Sequence, residues 1–287
     1  MSPRNIARAD TAAGHRFRLL AVGTLVAVSG CGSATSDAAS NATPDSAGRG
    51  STVESIASSS GLAGRWAHYD VVAYQDKTMR TLIISYGFTD FEVDGNALRE
   101  QESFCHADQR SDQAIETSIS DAATQAIVPV EATADLTSTP TGLRIQRPAT
   151  PTPVGIRLED PANDKLPTDR SDPRIVDDDH DGQPGITVHV KVGDAFEGDL
   201  YLARREIFAY DMTQDGPDTL TGTVEDHSEQ LVIGASNEVL AATAQWVQHP
   251  DLTRSPIILR RVGADWDCDR LMAERDQLFP AAPTTDW

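Results

Sequence analysis

The chain has 287 residues and a formal charge of −20, with 44 acidic residues against 24 Lys and Arg. So acidic a surface repels nucleic acid and anionic lipid headgroups, which excludes binding partners of both kinds on electrostatic grounds. The length suits a short targeting segment followed by one β-domain of ordinary size.

Taken in chain order, residues 1–30 read as a signal peptide. Arg4, Arg8, Arg16 and Arg18 precede an apolar run from Leu19 to Val28 that ends at Ser29-Gly30-Cys31. That run is too short for a bilayer span, which needs about 20 apolar residues. Val28-Ser29-Gly30-Cys31 resembles the lipobox of bacterial lipoproteins: an aliphatic residue, a small one, Gly or Ala, then Cys. The resemblance implies that Cys31 carries a diacylglyceryl group and becomes the mature N-terminus. Gly32 follows where Asp would favour inner-membrane retention, so the outer membrane is preferred over the inner. Removing residues 1–30 takes away four arginines and one aspartate and leaves −23. Membrane attachment then rests on acyl chains, two of which suffice for stable anchoring where one does not.

Residues 31–60 are rich in Gly, Ser, Ala and Thr, with Val53 and Ile56 as their only large aliphatics. They bury too little apolar surface to offset ordering entropy and read as a flexible tether. Residues 61–287 read as a single domain. Export also places Cys105 and Cys268 in an oxidising compartment, where an even pair predicts a disulfide.

The domain reads as all-β. His68–Tyr74 and the alternating Leu82–Phe88 are strands, and Asp94-Gly95-Asn96 is a hairpin turn returning into Leu98–Cys105. Weaker β signals fall at 115–119, 126–130 and 143–146. Residues 148–175 hold six prolines, so 148–185 is expected to form a long surface loop. Ile186–Val192 alternates cleanly, and segments at 199–210, 220–224, 229–233, 243–247 and 256–262 extend the series. Cys268, Leu271, Met272, Arg275, Leu278 and Phe279 recur at helical spacing. The expected fold is an antiparallel meander, a β-barrel or strongly curved sheet, with a short C-terminal helix. Leu62-x-Gly64-x-Trp66 at its start resembles the opening of lipocalin-like barrels, which implies a Trp plugging one closed end.

One stretch invites a metal. Asp177-x-Asp179-x-Asp181-Gly182 presents carboxylates on alternate residues before a permissive glycine, as the first half of a calcium loop does, with the Gln183 carbonyl as the backbone ligand. Val188 stands where an EF-hand carries its bidentate Glu, so the last ligand would come from Asp178, Asp194 or Glu197. The acidic run with Pro184-Gly185, together with 198–205, resembles a pattern recurrent in bacterial lipoproteins that brings no activity with it.

Catalytic signatures are missing from the sequence: it has no G-x-S-x-G, no H-E-x-x-H and no phosphate loop. His180 and His189 read as solvated polar residues. The leading expectation is a non-enzymatic binding or interaction lipoprotein of the envelope, taking a small apolar ligand or an envelope protein. The alternatives are a hydrolase with a glycosidase-like carboxylate pair and a purely structural component.

Overall fold

A computed structural model describes residues 60–76, 79–128, 131–140, 142–241 and 246–287. The signal peptide, Cys31 and the tether lie outside these residues, as does most of the strand expected at 243–247. The described part belongs to one compact unit, Ser46–Trp287.

The described residues open with a 3₁₀ turn, Ser60–Leu62, and three long strands, β1 (Gly64–Gln75), β2 (Arg80–Asp94) and β3 (Ala97–Ser111). Then come β4 (Ile115–Ile119), helix α1 (Asp121–Gln125), β5 (Glu131–Thr139) and β6 (Gly142–Val154). After an irregular excursion follow β7 (Ile186–Val192), β8 (Phe196–Gln214), β9 (Thr219–Asp226), β10 (Glu229–Ala235), β11 (Pro256–Arg261) and helix α2 (Cys268–Leu278). Every ladder between these strands is antiparallel.

The register closes the meander into a ring. β1 pairs with β2 on one side and with β11 on the other. β4 and β5 lie end to end along β3. In the same way β6 and β7 share one edge of β8, and β9 and β10 share the other. The ring therefore has eight strand positions, three of them filled by two strands in succession. It is not a clean barrel. The β5–β6 ladder stops at Asp135↔Gln146 and the β4–β7 ladder at Ile119↔Val188. Between these two ladders α1 contributes to the wall, with Ala123 and Thr124 buried.

Alternation divides the side chains between two faces. Inside, Leu62, Trp66, Phe91, Leu98, Ile145 and Leu259 share one apolar cluster at the end where β1 begins. Trp66 Nε1 donates to the Leu62 carbonyl at 2.9 Å, so its one polar group is satisfied there. Outside, Tyr69, Val71, Leu82 and Ile84 pack under Trp266, Leu271 and Phe279 of the C-terminal segment. β1 is thus covered on both faces, which is why its burial runs nearly unbroken from Trp66 to Tyr74. The disulfide expected between Cys105 and Cys268 is formed, with Cα atoms 5.3 Å apart, and ties α2 to β3.

Several sequence expectations shift. Residues 148–154 are strand, so the irregular excursion is 155–185 rather than 148–185. Past Gln146, β6 has no ladder on its β5 side. Pro151 and Pro153 sit at alternate positions of that half-open edge, where a missing N–H is tolerated. The β signal at 126–130 is not realised among the described residues. Ser120 instead caps α1 by accepting from Ala123 N at 3.1 Å, and the strand starts at Glu131. Trp246 and Val247 are not strand, although Gln248 bridges to Tyr74.

Candidate functional site

The ring interior is layered. Above the apolar end lies a belt of buried and half-buried polar side chains, and above the belt a cavity. The belt comes from alternate residues of several strands. His68 Nε2 pairs with Asp70 Oδ1 at 2.7 Å, and His68 Nδ1 lies 3.6 Å from Glu102 Oε1. Arg147 Nη1 donates to Glu100 Oε1 at 2.8 Å and also to Glu102 Oε2. The Tyr210 hydroxyl donates to Glu100. Further along β8, Arg204 Nε lies 3.1 Å from Glu206 Oε1, and Tyr74 donates to Asp226 Oδ2 at 2.5 Å.

Burial and charge compete at each group. Burial pushes the Glu100 carboxyl up and the neighbouring Glu102 adds to the rise. At Glu102 burial also acts upward, but the charge and bond of the Arg147 guanidinium, joined by the charge of His68, outweigh it and hold the carboxyl below the usual range. Burial raises Glu206 against the pull of Arg204, with the charges of Asp226 and Asp70 adding to the rise. Burial opposes charge on His68, but the bond and charge of Asp70, joined by Glu102, more than offset it and the imidazole pKa is raised.

The cavity above the belt has a volume of about 140 Å³. Ile83, Val154, Val188, Leu202 and Val232 give it aliphatic walls. Phe104, Phe208, Tyr74 and Trp246 supply aromatic ones, and Arg204 and Glu206 reach it from the belt. A second, wetter cavity of about 490 Å³ adjoins it, sharing Tyr74, Arg204, Gln230 and Trp246 and reaching Lys165 to Thr168 of the excursion.

That excursion leaves and rejoins the sheet at one point. Val154 pairs with Arg204 and Ile186 with Leu202, so β6 and β7 are one strand position interrupted by residues 155–185. Gly155 (φ 68°) and Gly185 (φ 87°) meet there, and a Cβ on Gly185 would lie 2.2 Å from the Leu202 carbonyl oxygen. Only glycine fits. Asp178 fastens the neck by accepting from Gly155 N at 2.7 Å and from Arg157 Nη2 at 2.6 Å.

Beside this neck, where Asp177 bridges to Gly185, the structure brings Asp177, Asp179 and Asp181 together, one carboxylate oxygen of each within 4.8 Å of the others. Among the described residues no other carboxylate joins them. Asp178, considered above as a borrowed ligand, is turned away to the neck, and Asp194 and Glu197 stay outside the group. Much of the oxygen capacity is already used. Asp177 accepts from Asp181 N at 3.2 Å and Gly182 N at 2.9 Å, and Asp181 accepts from Gln183 N at 2.7 Å. Asp179 Oδ2 accepts from Thr187 N at 2.9 Å, which leaves its buried Oδ1 without a partner. His180 is exposed with φ 58°, and His189 pairs with Asp199 at 2.9 Å on the wet face.

The belt escaped the reading of the sequence. Its signal was present: His68 and Asp70 fall on the same alternate positions as Trp66 and Val72, and Glu100 and Glu102 on those of Leu98. Polar residues in that parity look like a solvent-facing strand until the ring closes around them. Comparison with protein families, curated proteins and solved structures finds no match to this chain. What the fold and the interior define is a class: a closed antiparallel β-ring with one apolar end, a polar belt and a cavity between belt and excursion.

Proposed function

We propose that this chain is a lipid-anchored protein of the bacterial cell envelope, preferentially at the outer membrane, that binds a small molecule with a largely apolar body inside its β-ring and does no chemistry on it. The observation that carries this reading is the apolar chamber of about 140 Å³ lying directly on a polar belt. Ligand sites combine mostly apolar walls with a few placed polar groups, as here. An engineered cavity of about 150 Å³ holds benzene, which sets the scale of the apolar body. A hydrolase reading finds less support. A glycosidase needs two carboxyl groups flanking substrate in a shared open space, whereas Glu100 and Glu102 are buried and both engage Arg147 Nη1.

The test is a titration with a neutral probe of that size, benzyl alcohol, read by calorimetry. Saturable binding is expected, and Val232→Phe, which fills the chamber, should abolish it at a cost in stability of about 1–3 kcal/mol. Absence of saturation, or binding that Val232→Phe leaves intact, overturns the reading. A second element of the proposal is a weak Ca²⁺ loop at Asp177, Asp179, Asp181 and Gln183, supported by the convergence of the three carboxylates and the unpartnered Asp179 Oδ1.

A further inference from the structure

We infer that the ligand of the chamber is an organic cation, its ammonium group seated on the polar floor between Glu206 and Asp70 and its small apolar body lying in the space above. The inference rests on the proposal that the chamber binds a ligand and adds the ligand's charge.

Charge imbalance in the ring interior is the first argument. Among the described residues, five carboxyl groups occupy inward positions of their strands: Asp70, Glu100, Glu102, Glu206 and Asp226. Against them on the inward positions stand two guanidinium groups, Arg147 and Arg204, and one imidazole, His68; Arg205, also buried, falls on the other face of β8 and pairs with Glu229. Even a protonated His68 leaves the acids in surplus. Buried charges of one sign without partners are costly, so a cation entering this space gains what the protein's own side chains leave unmatched.

The surplus is also localised. Arg147 engages Glu100 and Glu102, at the end away from the chamber. Nearer the chamber, Asp70 is 4% exposed, and its Oδ1 is bonded to His68 while its buried Oδ2 has no partner. Its register partner on β2, Ser85, lines the chamber, and so does Glu206. Asp70 and Glu206 are close enough for the charge of one to raise the pKa of the other. An ammonium group has three donors to distribute between these carboxylates and the Ser85 hydroxyl.

The walls suit the same ligand. Phe104, Phe208, Tyr74 and Trp246 line the chamber, and aromatic faces attract cations, by up to about 2 kcal/mol when the site is dry. An anionic ligand meets the opposite situation. Among the described residues the cationic side chain that lines the chamber is Arg204, which already faces Glu206 and donates to Gln230 at 3.1 Å. Trp246 Nε1, at the passage to the outer cavity, is buried without an acceptor and can donate to an oxygen at the ligand's far end.

Three probes of nearly equal shape test this on the full-length protein in detergent: benzylamine, benzyl alcohol and benzoate, titrated calorimetrically at neutral pH. Roughly 0.3 M salt screens the general attraction of cations to an acidic surface. The amine should bind at least tenfold more tightly than the alcohol, and benzoate not at all. Glu206→Gln should remove most of the amine's advantage and leave the alcohol's affinity within about twofold. Asp70→Asn should act in the same direction, and Glu206→Gln stands alone if that variant does not fold. Equal binding of amine and alcohol, tighter binding of benzoate, or an amine preference unchanged in Glu206→Gln overturns the cation while the chamber remains a binding site. If none of the three saturates, the chamber itself is not a site and both readings fall.

Discussion

Single side chains in the belt set how stability should depend on pH. Glu100 and Glu206 have folded pKa values above the ordinary 4.5, so between the unfolded and folded values the native state holds more protons and stability falls as pH rises. His68 is raised above 6.5. Its contribution is complete below that value and is lost as pH climbs through the folded pKa. Glu102 acts in the opposite sense: its lowered pKa stabilises above 4.5, and that part is lost only in stronger acid. The melting temperature should therefore be higher near pH 5.5 than near pH 8, by a few degrees for a domain of this size (order-of-magnitude values). Thermal melts across that range check it, and Glu206→Gln and His68→Gln should each flatten the slope. A melting temperature independent of pH, or one rising towards pH 8, contradicts the assignment. His68 does not titrate alone, since Asp70, Glu102, Arg147 and, through Asp70, Glu206 share its space.

Two elements depend on connections that are distant in sequence. Helix α2 has only one fully buried apolar residue in its length, Leu271, and is held by Cys268 bonded to Cys105 at a separation of 163 residues. Closing such a loop stabilises by roughly 5 kcal/mol in the chain-entropy model. Reduction should lower the melting temperature by ten degrees or more and expose Tyr69 and Phe279 to solvent, measured by scanning calorimetry and aromatic fluorescence (order-of-magnitude shift). An unchanged melt after complete reduction would show that packing alone holds α2. The excursion 155–185 supplies the other case. If the acidic turn beside its neck binds Ca²⁺, millimolar Ca²⁺ should raise the melting temperature, because a ligand of the native state adds RT ln(1 + [L]/Kd), and Mg²⁺ should do less. Asp179→Asn combined with Asp181→Asn should abolish the Ca²⁺-specific shift. A double variant that keeps it places the effect elsewhere.

For the whole molecule, the proposal of a tethered binding domain joins two parts that can be tested apart. Cys31→Ser should leave the protein unlipidated and release it from the membrane fraction, checked by fractionation and intact mass, while chamber binding stays unchanged. A membrane fraction and mass identical to those of the parent chain end the lipid anchor and leave the chamber standing.

How much was legible in the sequence follows from which interactions are local. Ile186–Val192, the Asp94-Gly95-Asn96 turn, the C-terminal helix and the cysteine pair were readable because alternation, turn chemistry and helical spacing act over a few residues. Trp66 lies buried in the apolar cluster at the end of the ring interior. The continuation of β6 through Pro151 and Pro153 was not readable, because a proline's cost depends on whether its edge of the strand is paired, and that is decided by β5 and β8. Nor was the chamber. A run such as Glu100-x-Glu102 carries the same alternation whether its polar face meets water or the inside of a ring, and only closure of β1 onto β11 decides which. By itself the sequence determined the strand periods, the turn, the pairing of two cysteines and the clustering of three aspartates. Tertiary structure decided which polar face was enclosed, because enclosure depends on pairings between residues far apart in the chain.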